Sequence, residues 1–230
     1  MNFPTDICMT GATGLVGNEL LLLLANIDHV DRVTVLSRKP LGRFPAKIEN
    51  IVLDFDKLAN YSGSLKAHTF VCCLGTTIKV AGSQEAFRKV DYDYVMEFAK
   101  IAEKAQAQKF MVISAMGANA ESSVFYNRVK GEMERDLRKL SIPQIEVFRP
   151  SLLVGERKEH RTGEAFAIKL APIMNALMIG PLKKYKAIAA KDVAKAMALA
   201  ALNFNAGQFI YESDEIQRMS DSIKSDVSLE

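Results

Sequence analysis

Tyr126 and Lys130 stand four residues apart in Tyr126-Asn127-Arg128-Val129-Lys130, so on a helix they share one face. An ammonium beside a phenol lowers the cost of forming phenolate. Such a tyrosine hands a proton to a carbonyl oxygen as hydride arrives on carbon, or takes it back in reverse. Ser114 ends an apolar run twelve residues earlier, where its hydroxyl would bind the substrate oxygen and steady developing charge. The spacing alone is weak, because tyrosine and lysine meet at it by chance. Of the six tyrosines, Tyr61, Tyr92, Tyr94, Tyr185 and Tyr211 have no lysine four residues later. The remaining match follows a serine-ended strand, and that placement gives it weight.

A second constellation is Thr10-Gly11-Ala12-Thr13-Gly14-Leu15-Val16-Gly17. It lies between the apolar run Asp6-Ile7-Cys8-Met9 and the helix-like run Gly17-Asn18-Glu19-Leu20-Leu21-Leu22-Leu23-Leu24-Ala25. Three glycines between strand and helix suit a dinucleotide phosphate site. The first permits the tight turn, the second lets backbone approach a pyrophosphate, and the third lets helix pack close to sheet. The N–H groups of Gly11 to Val16 and the positive end of the helix dipole would then face the anion. Lys130 would hold the nicotinamide ribose as well as serve Tyr126.

The residues after the second strand select between dinucleotides. An acidic residue usually binds the adenosine ribose hydroxyls here. This chain has Ser37-Arg38-Lys39, with no carboxylate between Val33 and Glu49. A guanidinium grips a 2′-phosphate bidentately and a hydroxyl adds a donor, so the expected cofactor is NADPH/NADP in preference to NAD. A solvated basic turn is the plainer alternative. Asp54 is placed either to accept from the adenine amino group or to cap the turn at Phe55-Asp56. Leu74, Gly75 and Thr76, past the fourth strand, fall where backbone would flank the adenosine and bridging phosphates.

Strands are expected at 5–10, 32–37, 48–53, 69–74, 110–114 and 144–148, with a short one at 208–211. Helices are expected at 14–26, 84–107, 123–140, 162–178 and 191–203. β-Branched apolar strands alternating with amphipathic helices imply an α/β, Rossmann-type, doubly wound parallel sheet, with a small C-terminal helical region on the substrate side. Residues 1–212 read as one NAD(P)-binding domain, and 213–230 as a polar, frayed C-terminal tail. The charged segment 156–164 reads as an exposed loop, either a lid or a solvated connection.

Composition narrows the partners. A chain of 230 residues with a net charge of +3 and interspersed charges gives no reason to expect nucleic acid. No apolar run approaches a membrane span and no secretory signal is visible, so neither membrane nor export is expected. The three cysteines, Cys8, Cys72 and Cys73, fall in strand-like runs, which suggests reduced thiols and a cytoplasmic location. His29, His68 and His160 are scattered and do not make a metal set.

Several longer segments carry a family likeness. They are Phe70-Val71-Cys72-Cys73-Leu74-Gly75-Thr76-Thr77, Val90-Asp91-Tyr92-Asp93-Tyr94-Val95, Tyr126-Asn127-Arg128-Val129-Lys130-Gly131-Glu132, Phe148-Arg149-Pro150-Ser151-Leu152-Leu153 and Arg161-Thr162-Gly163-Glu164. Over about residues 5–205 the chain resembles the atypical branch of the short-chain dehydrogenase/reductase superfamily, and within it looks like the Tat-interacting-protein group. The resemblance implies a Rossmann fold, NADPH, and a Ser114, Tyr126 and Lys130 set. It also implies that Leu153 and Arg161 lie near the nicotinamide and phosphate end of the cofactor. Ala115-Met116 departs from the family, where relatives tend to carry a second small hydroxyl and a lysine.

Two function classes follow. One is an NADPH-dependent reductase of a small carbonyl or quinone-like substrate. The other is an NADP(H)-binding regulator of a protein partner with little or no turnover, since fold alone does not decide function.

Overall fold

The computed structural model describes residues 5–155 and 185–226. Seven parallel strands form one sheet in the order β3-β2-β1-β4-β5-β6-β9. Their bounds are β1 Thr5–Thr10, β2 Val30–Ser37, β3 Ile48–Val52, β4 Thr69–Cys72, β5 Lys109–Ile113, β6 Gln144–Arg149 and β9 Gly207–Glu212. A separate pair, β7 Leu153–Val154 and β8 Ile188–Ala189, is parallel too. The strand order reverses between β1 and β4, so their carboxyl ends open the crevice where ligands bind in such sheets.

Helices cover both faces. α1 (Leu15–Ala25) buries Val16, Gly17, Leu20, Leu21, Leu24 and Ala25, a helical stripe of small and large apolar residues. It packs with α6 (Ala190–Leu202) and α7 (Ser213–Asp226) on the face lined by Ile7, Met9, Val33, Val35 and Val71. Leu20, Leu21 and Leu24 are fully buried, and each contributes about 1.5–3 kcal/mol by leaving water. The opposite face carries Cys8, Leu36, Phe70, Cys72, Phe110 and Val112 under α4 (Tyr94–Lys104) and α5 (Phe125–Leu137). Shorter pieces are a 3₁₀ helix Phe55–Tyr61, α2 Ile78–Ala81 and α3 Gln84–Arg88.

Three expectations change. The single helix over 84–107 is broken: a π-helical turn at Lys89–Asp93 joins α3 to α4 and shifts the faces around Asp91. The polar segment after Ser213 is α7, not a frayed tail, because Ile216 and Ser220 are fully buried against the body. Strand β4 stops at Cys72, two residues early, freeing Cys73 and Leu74 for the loop beside the glycine turn. The helix expected at 162–178, the segment 156–164, and His160 and Arg161 within it lie outside the described residues. Among the described residues, no helix is long and apolar enough to cross a membrane.

Candidate active site

The glycine turn sits at the β1–β4 switch point. Gly11 has φ +82°, and a Cβ there would lie 2.3 Å from the Cys73 carbonyl carbon, so only glycine fits. A Cβ on Gly17 would lie 2.2 Å from Gly11 O, which is how α1 closes onto the turn. Gly14 caps α1, and a Cβ there would stand 3.2 Å from Gly11 O. The expected division of labour is therefore adjusted: the second glycine also packs against its own turn. Ala12 is buried while Thr13 and Gly14 are exposed. No side chain caps α1 and no acid lies in its first turn. That leaves Gly14, Leu15 and Val16 at a bare, electropositive helix end suited to a phosphate. A Cβ on Gly155 would lie 3.1 Å from Leu15, so the chain just past Leu153 runs over the start of α1.

At the end of β2, Arg38 and Lys39 are exposed. Ser37 is buried and gives its proton to Lys39 O at 2.7 Å while Asn50 Nδ2 donates to its oxygen at 2.8 Å. Here its one proton shapes the turn that presents Arg38, and Ser37 would have to release Lys39 O to donate to a phosphate as expected. Asp54 caps the 3₁₀ helix, accepting from Asp56 N at 3.0 Å, which is the capping alternative. In the loop after β4, Gly75 is exposed and Thr76 N donates to Asp91 Oδ2 at 2.9 Å.

Tyr126 and Lys130 lie one turn apart on α5, as the spacing requires. The Tyr126 ring packs on Phe87 of α3, centroids 5.3 Å apart. A Cβ on Gly131 would lie 2.1 Å from Asn119 C and Ala120 N, so that glycine lets α5 pack closely on the loop after β5. Lys130 is buried, with Nζ 2.7 Å from Asp91 Oδ1. Burial alone would lower its pKa, but the Asp91 carboxylate outweighs it and holds the ammonium above the ordinary lysine range. The sequence reading placed Asp91 inside one helix over 84–107 and gave it no role, because an acid there looks like solvated surface. Only the π turn aims it inward.

Ser114 does not join Tyr126 through a hydrogen bond. Its Oγ donates to Glu134 Oε1 at 2.5 Å, and Arg149 grips Glu134 through Nε at 3.0 Å and Nη2 at 2.5 Å. Arg149 also reaches Glu212 at 3.1 Å. Tyr126, Lys130 and Glu134 are thus three successive turns of one face, the last committed to Ser114. For Ser114 to donate to a substrate oxygen, as expected from the sequence, its proton would have to turn away from Glu134. Burial pushes the Cys8 and Cys72 thiols up to about 12, so both are inert core groups.

The sheet order and the glycine turn at its switch point define a Rossmann-type α/β fold with a doubly wound parallel sheet. The chain belongs to the HIM1 family, whose model matches residues 46–183. It is 35% identical over 168 residues to Protein HTATIP2 of Rattus norvegicus, covering 71% of this chain and 69% of that protein. It is 33% identical over 198 residues to "Protein FMP52, mitochondrial" of Meyerozyma guilliermondii, covering 84% of each. Among solved structures, MoeE5 in complex with UDP-glucose and NAD superimposes with a TM-score of 0.65 at 15% identity, over 96% of this chain and 82% of that one.

These relatives overturn the cytoplasmic expectation. Same-named FMP52 proteins of Debaryomyces hansenii and Emericella nidulans are also called mitochondrial. Reduced cysteines argue only against an oxidising compartment, which never separated the cytosol from the mitochondrial interior.

Proposed function

We propose that this protein is an NADP(H)-dependent oxidoreductase that reduces a small carbonyl or quinone-like substrate. The observation that carries the reading is the Tyr126–Lys130 pair, with Lys130 buried against Asp91 of the π-helical turn. The glycine turn fits a pyrophosphate, because α1 begins there uncapped and without an acid. Arg38 would take the 2′-phosphate, and Lys39, Asp54, Leu74, Gly75, Thr76, Leu153 and Arg161 would border the dinucleotide. The bound dinucleotide would supply hydride. Lys130 would donate to its ribose, and Tyr126 would give a proton to the substrate oxygen. No nucleic acid or membrane enters this reading.

The regulator reading keeps one specific support. The Ser114 hydroxyl donates its hydrogen bond to Glu134, so one aid to turnover is engaged inside the protein. A bound cofactor would then set affinity for a protein partner. Titration calorimetry with NADPH and NADH, followed by a carbonyl and quinone panel, tests both readings. NADPH should bind at least about tenfold tighter, since a charge-assisted phosphate contact contributes about 1.5–3 kcal/mol. Equal affinities would remove the NADP assignment, and tight NADPH binding without turnover would favour the regulator.

A further inference from the structure

The side-chain amide of Asn50 is wholly engaged with the turn that carries Arg38. Asn50 lies on β3, in register with Val35 of β2. Its oxygen accepts from Leu41 N at 2.9 Å. Its nitrogen donates to Ser37 Oγ at 2.8 Å and to Val35 O at 3.0 Å. Ser37 Oγ in turn donates to Lys39 O at 2.7 Å. The stretch Ser37-Arg38-Lys39-Pro40-Leu41 is thus tied at both ends to one amide and braced in its middle. Pro40 stiffens it further, because its ring fixes φ and keeps Lys39 out of the helical region. Arg38 and Lys39 stand exposed within this frame. The turn leaves the sheet beside the glycine turn, since Leu36 is the register partner of Thr10. Of the cations that follow, Lys47 is committed to Ile27 O at 2.7 Å, and Arg43 lies outside the pinned stretch.

We propose that Asn50 is a positioning residue that pre-organises Arg38 for the 2′-phosphate of NADP(H) and thereby sets the preference for NADPH over NADH. The inference rests on the NADP reading above. A loop that must be ordered on binding loses affinity to its own ordering, whereas one already held in place does not. NADPH draws on that order, because its 2′-phosphate needs the guanidinium at a fixed angle. NADH carries only a hydroxyl there and gains little from it.

The test is calorimetric titration of the full chain with NADPH and with NADH, on wild type, Asn50→Ala, Arg38→Ala and the double variant. Asn50 is exposed, so its truncation should leave the protein folded, which circular dichroism checks. Asn50→Ala should weaken NADPH about three- to tenfold and NADH by less than about twofold. In the Arg38→Ala background the same truncation should change NADPH affinity by less than about twofold, since the residue it serves is gone. Unchanged NADPH affinity in Asn50→Ala would overturn the proposal. Equal losses for both dinucleotides would also overturn it, because they mark a general loosening. So would the same loss with and without Arg38, because Asn50 would then act elsewhere. Wild type binding both dinucleotides equally would remove the NADP reading and the proposal with it. A wild-type preference for NADPH that survives Asn50→Ala removes the proposal alone.

Discussion

Ser114 donates to Glu134 across 2.5 Å, and Arg149 holds that carboxylate from the other side. A hydroxyl has one proton, so in this arrangement Ser114 offers a ligand lone pairs only, and the proposed reaction takes its proton from Tyr126. Ser114→Ala removes a hydrogen bond to a buried charge. It should lower unfolding free energy by about 1.5–3 kcal/mol and leave NADPH affinity unchanged. Denaturant unfolding and calorimetry check this; unchanged stability would mean the bond to Glu134 does not form in solution.

The glycine turn separates fold from binding. Gly11→Ala forces a side chain against the Cys73 backbone at positive φ and should destabilise the protein by more than about 2 kcal/mol. Gly14→Val meets Gly11 O at a distance the turn accommodates with a small shift. That variant should stay folded by circular dichroism yet lose NADPH affinity. If it binds normally, the phosphate site is misplaced.

The parallel sheet was legible in the sequence because strands buried on both faces read as short apolar runs such as Phe70-Val71-Cys72, bounded by turn residues. The Tyr126–Lys130 pair was legible because it depends on local helical spacing. Asp91, Glu134 and Arg149 were not assigned roles. Glu134 meets Arg149 only through packing of α5 on β6, and Asp91 turns inward only through a π-helical register that no side-chain pattern announces. Helix α7 was missed because a few buried residues, Ile216 among them, anchor an otherwise polar segment.

Glu146 gives a pH signature. Burial raises its pKa above the ordinary glutamate value, while Lys109, Gln144 and Tyr211 only partly offset that. A raised carboxyl pKa means stability that is fully present below the unfolded value and lost as pH rises through the folded one. Glu146→Gln abolishes that loss. Its stability relative to wild type should therefore climb as pH rises above the ordinary glutamate range in urea unfolding. A difference that stays flat over that rise would contradict the direction.

Arg38 carries the proposed discrimination between dinucleotides. It is exposed, so Arg38→Ala should leave thermal stability unchanged. NADPH affinity should fall by about one to two decades while NADH affinity stays within about twofold. Parallel losses for both would place Arg38 away from the 2′-phosphate.

The most direct measurement compares NADPH turnover of wild type and Tyr126→Phe on an active carbonyl or quinone substrate, with NADPH affinity measured on the same samples. The account predicts that turnover falls by about two to four decades while affinity barely changes, because the phenol acts on substrate oxygen. Full turnover by Tyr126→Phe would contradict it.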